Sequence, residues 1–399
     1  MFRLSEFLRE MREPTPVRAR RDLPGPVVIW NLVRRCNLRC KHCYAVSADV
    51  DFPGELTKAR ALRVMQDIRA AGSPVLILSG GEPLLRPDIF ELSHRAKELD
   101  FYTSLSTNGT KIDDAMADRI AAVGYDYVGV SLDGIGAVHD RFRGSASAFD
   151  DALAGLRACR DRGVKVGVRF TMTSDNSSQL PDLLDLVEAE RIDKFYLSHL
   201  VYAGRGNKNR GDDATWNITR DAMHILFERA WAAIERGEKR DYVTGNNDAD
   251  GVFLLFWIER NFPAHAAHMR AKLTQWGGNA SGVNVANIDN LGNVHPDTMW
   301  QHHTIGNVED RAFGEIWSDL SDPIMAGLKA RPRAISGRCG ACAHFAICGG
   351  NTRVRALRLT GDAFAEDPGC YLTDEEIGVA PGARVELRPF RGAGHEAVA

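Results

Sequence analysis

The chain has 399 residues, enough for one large α/β domain with a smaller appendage or for two ordinary domains. Its 50 Lys and Arg against 53 Asp and Glu leave a formal net charge of -3, so it lacks the basic excess that neutralises a phosphate backbone, and no nucleic-acid partner is expected. With 44% hydrophobic and 26% charged residues the composition is that of a globular protein; the longest apolar run, 252–258, is too short to span a bilayer, and no membrane partner is expected.

Residues 1–25 form an N-terminal extension that opens on an amphipathic charged stretch. It lacks the apolar centre of a secretory signal, and a cytoplasmic location is expected. A reducing compartment does not sustain disulfides, so the eight cysteines read as ligands or catalytic thiols. Cys159, alone in a predicted helix, reads as a small buried apolar residue. From residue 26 to 204, β-rich runs at 27–33, 75–79, 102–106, 127–132, 164–171 and 195–200 alternate with helix-period segments at 57–71, 88–99, 113–123, 148–162 and 178–190. Thr57 and Pro87-Asp88 mark helix starts. Parallel strands need crossover connections, so this alternation predicts a parallel sheet covered by helices. Past Gly204 a polar stretch at 205–213 leads to a helix predicted over 218–240. Segments 283–288 and 294–295, joined by Asp289-Asn290-Leu291-Gly292-Asn293, predict a hairpin.

The loop after the first strand reads Cys36-Asn37-Leu38-Arg39-Cys40-Lys41-His42-Cys43-Tyr44. Ligands in sheets of this class bind at the carboxyl ends of strands, so a cofactor site is expected here. Three thiolates cannot saturate a cluster of four irons, and the remaining iron is open to an exogenous ligand. A structural zinc loop fits less well, since structural zinc wants four protein ligands. Four more cysteines, Cys339, Cys342, Cys348 and Cys370, fall in a loop-rich tail. They suit either a zinc site or a complete 4Fe-4S cluster, and spacing alone does not decide.

The Cys-x-x-x-Cys-x-x-Cys loop resembles that of the radical S-adenosylmethionine (SAM) superfamily, and Ser79-Gly80-Gly81-Glu82-Pro83 at the end of the second strand resembles its second signature. The resemblance implies a partial (β/α)6 radical SAM barrel over 26–204. It also implies that Cys36, Cys40 and Cys43 hold a 4Fe-4S cluster and that SAM is the cofactor. Tyr44, Gly80, Gly81, Glu82, Asn108, Ser131, Asp133 and Arg169 are the implied cofactor contacts. In the family the Gly-Gly-Glu-Pro turn meets the methionine amino group, where glycines let the backbone approach and Glu82 offers an acceptor. Ordinary turn formation for Asn108 and Asp133, and a plain salt bridge for Arg169, are the competing readings.

The tail resembles the auxiliary-cluster domains of the SPASM and twitch groups, which implies a second 4Fe-4S cluster on Cys339, Cys342, Cys348 and Cys370 within a domain spanning 279–399, after a helical bridge at 205–278. A full SPASM domain has further cysteines flanking the hairpin; here the hairpin reads Gly282-Val283-Asn284-Val285 and His295-Pro296-Asp297, so one auxiliary cluster is expected. Longer strings, among them 26–32, 51–56, 289–297 and 370–376, resemble the radical SAM enzymes of haem d1 biosynthesis and their relatives in alternative haem synthesis. The implied reaction removes two propionates from 12,18-didecarboxysiroheme and installs oxo groups, with electrons from a donor such as flavodoxin or ferredoxin. The competing functions are decarboxylation of related tetrapyrroles, SPASM-type peptide modification, and a non-catalytic metal scaffold. A siroheme-derived tetrapyrrole would need cations for its carboxylates, for which Arg143, Arg205 and Arg210 are candidates, and an iron ligand, for which His199, His295, His302 and His303 are candidates.

Overall fold

Seven parallel strands run in chain order across the sheet: β1 (Val27–Asn31), β2 (Val75–Ser79), β3 (Tyr102–Thr107), β4 (Tyr127–Ser131), β5 (Val166–Met172), β6 (Lys194–His199) and β7 (Asp241–Gly245). They are seen in a computed structural model that describes residues 1–17 and 24–380. Neighbouring strands are in phase: Ile29 lies beside Ile77, Ser106 beside Gly129, and Ser131 beside Arg169, which lies beside Tyr196. Side chains alternate between faces, so this register sorts them into two surfaces. One surface carries Val28, Trp30, Leu76, Leu78, Leu105, Val128, Val130, Val168, Phe170, Phe195 and Leu197, all buried in the core shared with the helices. The other carries Ser104, Ser106, Tyr127, Gly129, Ser131, Gly167, Arg169 and Tyr196. A polar inner face is the physical signature of a sheet that wraps a ligand rather than a second helical layer.

Two of the helices that cover the sheet start on side-chain caps, whereas Ile89–Glu98 starts after Asp88 as expected but without a cap bond from it. Thr57 accepts from the Arg60 amide at 3.4 Å before Lys58–Ala70, and Asp113 accepts from the Met116 amide at 2.8 Å before Asp114–Val123. All six predicted strands are present, and β7 extends them. The helix expected over 218–240 spans Trp216–Glu235; Gly237, at φ 76°, turns the chain, and Asp241–Gly245 pairs with β6. Cys159 is fully buried, as expected of a small apolar residue.

The hairpin of β8 (Val285–Ile288) and β9 (Asn293–His295) forms as predicted, with Asp289 Oδ1 accepting from the amides of Leu291 and Asn293, both at 2.9 Å. Its placement was not legible in the sequence. β8 pairs in parallel with β1, Val28 beside Ala286 and Trp30 beside Ile288, and the short β10 (Gly306–Asn307) pairs with β9. One sheet, ordered β10-β9-β8-β1-β2-β3-β4-β5-β6-β7, therefore crosses both expected boundaries at 204 and 278. Its β7 edge is covered by the N-terminus, where Phe2 and Thr244 exchange backbone hydrogen bonds at 2.7 and 2.9 Å, leaving no open ladder there for another chain to extend.

Candidate functional site at the mouth of the sheet

The cysteine loop leaves β1 and is tied down from several sides. Cys36 and Cys40 are buried and Cys43 is half-buried. The Cys36 amide donates to Ala48 O at 3.0 Å, and the Arg39 and Lys41 amides donate to Arg143 O and Phe142 O. Arg143 ends a short helix, Ala137–Arg143, that the sequence reading missed. Its guanidinium donates to Cys40 Sγ at 3.4 Å and pairs with the buried Asp133 carboxylate. Arg205 donates to Cys40 O at 2.7 Å and Ser47 O at 2.8 Å. Both arginines, candidates for substrate carboxylates, hold the loop, whose inward-turned carbonyls and thiol need buried donors, and each keeps one buried nitrogen without a partner among the described residues. Arg210, beside them in sequence, sits in the short turn Arg210–Asp212.

Two other expectations change for a similar reason. Asp133 is fully buried, with Oδ1 accepting from the Thr171 amide at 2.7 Å and Oδ2 paired with Arg143, so it braces the site instead of reaching a cofactor. Glu82 is also fully buried. It accepts from Thr107 Oγ1 at 2.7 Å, the Leu84 amide at 3.1 Å and the Asn108 amide at 2.7 Å, and burial pushes its carboxyl above the usual range. Its hydrogen bonds lock the end of β2 to the end of β3, which corrects the reading of Glu82 as a free acceptor. Asn108 turns toward the cysteine loop, donating to Asn37 Oδ1 at 3.0 Å and lying 3.9 Å from Cys36 Sγ.

The glycines of the second signature serve the same join. A Cβ on Gly81 would lie 2.2 Å from Arg35 O, and one on Gly80 would lie 2.4 Å from Val33 O, while the Gly81 amide donates to Val33 O at 2.6 Å. The turn thus packs backbone to backbone against the stem of the cysteine loop, an approach no side chain permits. Tyr44 reaches back to β1, where Asn31 Nδ2 donates to its hydroxyl at 3.2 Å.

On the polar inner face, Arg169 makes no carboxylate pair among the described residues. It donates to Ser106 Oγ and lies 5.3 Å from the Tyr196 ring centre, in space left by the missing side chain of Gly129, where a Cβ would lie 3.0 Å from Arg169 Cδ. Ser131 sits beside it in register. The salt-bridge alternative for Arg169 is thus not what the structure holds, and its charge remains available to an anion.

The histidines separate clearly. His199 Nε2 meets Asp250 Oδ2 at 3.0 Å; the same carboxylate accepts from Thr244 Oγ1 at 2.5 Å and the Tyr371 hydroxyl at 2.7 Å, so His199 belongs to a buried brace between sheet and tail. His295 is fully buried, with Nδ1 at 2.9 Å from His303 O and Nε2 at 3.5 Å from Asp289 Oδ2. His199 is thus committed to the brace, while His295 Nε2 is buried without a hydrogen-bond partner among the described residues. His303 pairs with Asp322 at 3.0 Å. His302 alone of these four meets open space, in a cavity of about 300 Å³ between the cysteine-loop stem, the hairpin tip and the tail helix Arg353–Thr360.

The tail cysteines lie on short helical turns, Gly337–Gly340 and Phe345–Cys348, and on the loop at Cys370. Cys339 Sγ accepts from the Asp367 amide at 3.4 Å and Cys342 Sγ from the His344 amide at 3.3 Å. Sequence reasoning missed the buried arginines around them. Arg338 pairs with Asp374 at 2.5 Å and adjoins Cys370, and Arg355 makes a two-pronged pair with Asp367 at 2.7 and 2.8 Å. Arg353, fully buried, donates only to the carbonyls of Gly350, Asn351, Ala363 and Ala365. Nothing in local periodicity marks these arginines as buried; only their density near the cysteines hints at it.

The chain belongs to the radical SAM superfamily, whose family model matches residues 30–187, from the end of β1 through the helix before β6. Among individual proteins, it is 59% identical over 399 residues to the pre-heme d1 synthase of Dinoroseobacter shibae, covering 99% of this chain and 98% of that one. It is 44% identical over 356 residues to the Fe-coproporphyrin III synthase of Methanosarcina barkeri, covering 88% of this chain and 89% of that one. In fold it is similar to Streptococcus suis SuiB bound to S-adenosylmethionine, at a TM-score of 0.69 and 18% identity over 88% of this chain and 78% of that one. No helix among the described residues is long and apolar enough to cross a membrane.

Proposed function

We propose that this chain is a radical SAM enzyme of haem d1 biosynthesis, removing two propionate side chains of 12,18-didecarboxysiroheme and installing oxo groups in their place. The observation that carries this reading is the 59% identity to pre-heme d1 synthase along essentially the whole of both chains. Cys36, Cys40 and Cys43 would hold one 4Fe-4S cluster, and Cys339, Cys342, Cys348 and Cys370 a second.

The residues fit these groups. All eight cysteines are free, and both sets are close enough within themselves to raise one another's thiol pKa. Burial, with a smaller contribution from neighbouring thiols, pushes Cys36 and Cys339 up to about 12, so without metal these groups stay protonated and metal binding would displace their protons.

A 4Fe-4S cluster held by Cys36, Cys40 and Cys43 would, when reduced, supply the electron for reductive cleavage of SAM. The chain's own residues bind and orient. Arg169 and Ser131 would receive the cofactor carboxylate on the polar inner face, while the backbone of Gly80 and Gly81 and the ring of Tyr44 line its approach to the loop. Arg143 and Arg205 keep the thiols in place, and the Glu82 hydrogen bonds keep the β2 and β3 ends from separating. Bound against these fixed partners, cofactor and substrate would be held in one geometry, away from water. An external one-electron donor, such as a flavodoxin or ferredoxin, completes the system.

The test is anaerobic turnover of the reconstituted protein with 12,18-didecarboxysiroheme, read by mass spectrometry of the pigment. Loss of two propionates with gain of two oxo groups is expected. Pigment that keeps both propionates, with turnover instead on a tetrapyrrole bearing acetates, would overturn the assignment in favour of a decarboxylase.

A further inference from the structure

The cavity beside the cysteine loop, which Tyr44 and the hairpin residue Asp289 also line, brings together three side chains that the preceding roles do not use, Arg34, His302 and Arg358. Tyr44, Ala45 and Val46 come from the loop itself, directly after Cys43, so whatever occupies the cavity lies next to the cofactor end of the sheet. Three basic groups reach it: Arg34 from the loop stem, His302 from the segment after the hairpin, and Arg358 from the tail helix. Among the described residues none of the three makes an ion pair or a side-chain hydrogen bond. For Arg34 this is costly, since its Nε is buried without an acceptor while the guanidinium lies 4.6 Å from the Phe52 ring centre. Most buried arginines of the chain are satisfied by a carboxylate or by carbonyls, as Arg86, Arg353 and Arg355 show, although Arg143 likewise keeps a buried Nε without an acceptor.

His302 is held by its ring face. It stacks on Trp300, which is fully buried, at 5.6 Å and 18° between planes. Neither ring nitrogen has a hydrogen-bond partner among the described residues, and the residue, though exposed, is partly enclosed by protein where it lines the cavity. Those surroundings, with the nearby Arg358, bring its pKa down to about 4, so at neutral pH the imidazole is uncharged and carries a free lone pair. A neutral imidazole with an oriented ring is a ligand for a transition metal. Two unpaired guanidiniums are partners for carboxylates.

We propose that this cavity is the tetrapyrrole site, with His302 as axial ligand to the substrate's iron and Arg34 and Arg358 as the cations that take its carboxylates. This rests on the tetrapyrrole reading above and assigns its recognition to three residues on three separate segments. A molecule carrying both a coordinatively open iron and peripheral carboxylates satisfies all three groups at once; a peptide satisfies at most the arginines. The apolar members of the wall, Met299 and Val46, suit the face of a macrocycle.

The assignment is tested with the reconstituted holoprotein by titrating 12,18-didecarboxysiroheme and its iron-free counterpart, followed by difference absorption and by electron resonance of the ferric iron. His302→Ala is expected to weaken the iron form about tenfold or more, to change its ferric resonance, and to leave the iron-free form bound as in the parent; added imidazole should restore the parental resonance. Arg34→Gln and Arg358→Gln are each expected to weaken both forms about tenfold. A parental protein that binds neither form would overturn the tetrapyrrole reading itself. A parental protein that binds both, with His302→Ala leaving the ferric resonance unchanged or the arginine variants binding at full strength, would overturn only the assignment of these residues.

Discussion

The two thiol sites of the chain are built on opposite plans. The loop site at Cys36, Cys40 and Cys43 hangs from the carboxyl end of β1, is fastened largely by backbone hydrogen bonds, and has one guanidinium against a sulfur. The tail site at Cys339, Cys342, Cys348 and Cys370 is short-range structure packed around buried arginines, with Arg353 surrounded by carbonyls and Arg355 locked to Asp367. Each set keeps one half-buried thiol, Cys43 in the first and Cys342 in the second, so the two sites differ in what fastens them and not in exposure.

Substitutions that treat the two sites alike should expose this contrast. Cys40→Ala is expected to abolish reductive cleavage of SAM, measured as 5'-deoxyadenosine, while Cys342→Ala retains cleavage uncoupled from pigment conversion; equal loss in both would erase the distinction. Arg143→Met should cost about 4 kcal/mol, because it strands the buried Asp133 carboxylate, and adding Asp133→Asn should recover part of this in chemical denaturation. Arg353→Met should cost about 3 kcal/mol by leaving buried carbonyls unpaired, with loss of tail iron and retention of loop iron.

The smallest effect is one of pH. His139 Nδ1 accepts from the Asp133 amide at 2.8 Å, and burial, aided by Arg143, brings this histidine down to about 3. An unfolded histidine titrates near 6.5, so as pH falls below that value the unfolded state takes up a proton that the folded state refuses, and stability is lost progressively toward pH 3. Between pH 7.5 and pH 6 the parent should lose about 0.8 kcal/mol that His139→Gln does not. Parallel pH profiles for the two proteins would show that His139 is not the group responsible.

Sequence and structure agree where a residue's job is local. Strand positions follow from β-branched runs, the helix starts from Thr57 and Pro87-Asp88, and the cysteine spacings announce themselves. Long-range partnership was not legible. Arg143 and Cys40 are 103 positions apart, and nothing near either states that they meet. The same holds for His302, one of three histidines after the hairpin turn, which differs from His295 and His303 only in what other segments place around it. β7 was missed because a five-residue strand behind a charged turn carries too few apolar positions to show a period. The helix Ala137–Arg143, seven residues between Gly136 and Gly144, is too short for the same reason.

The parallel pairing of β8 with β1 has a mechanical consequence. The strand that leads to the iron loop and the hairpin that leads to the tail are adjacent rungs of one hydrogen-bonded ladder. A hinge between them would have to break that ladder, so the loop stem and the hairpin are expected to move as one body.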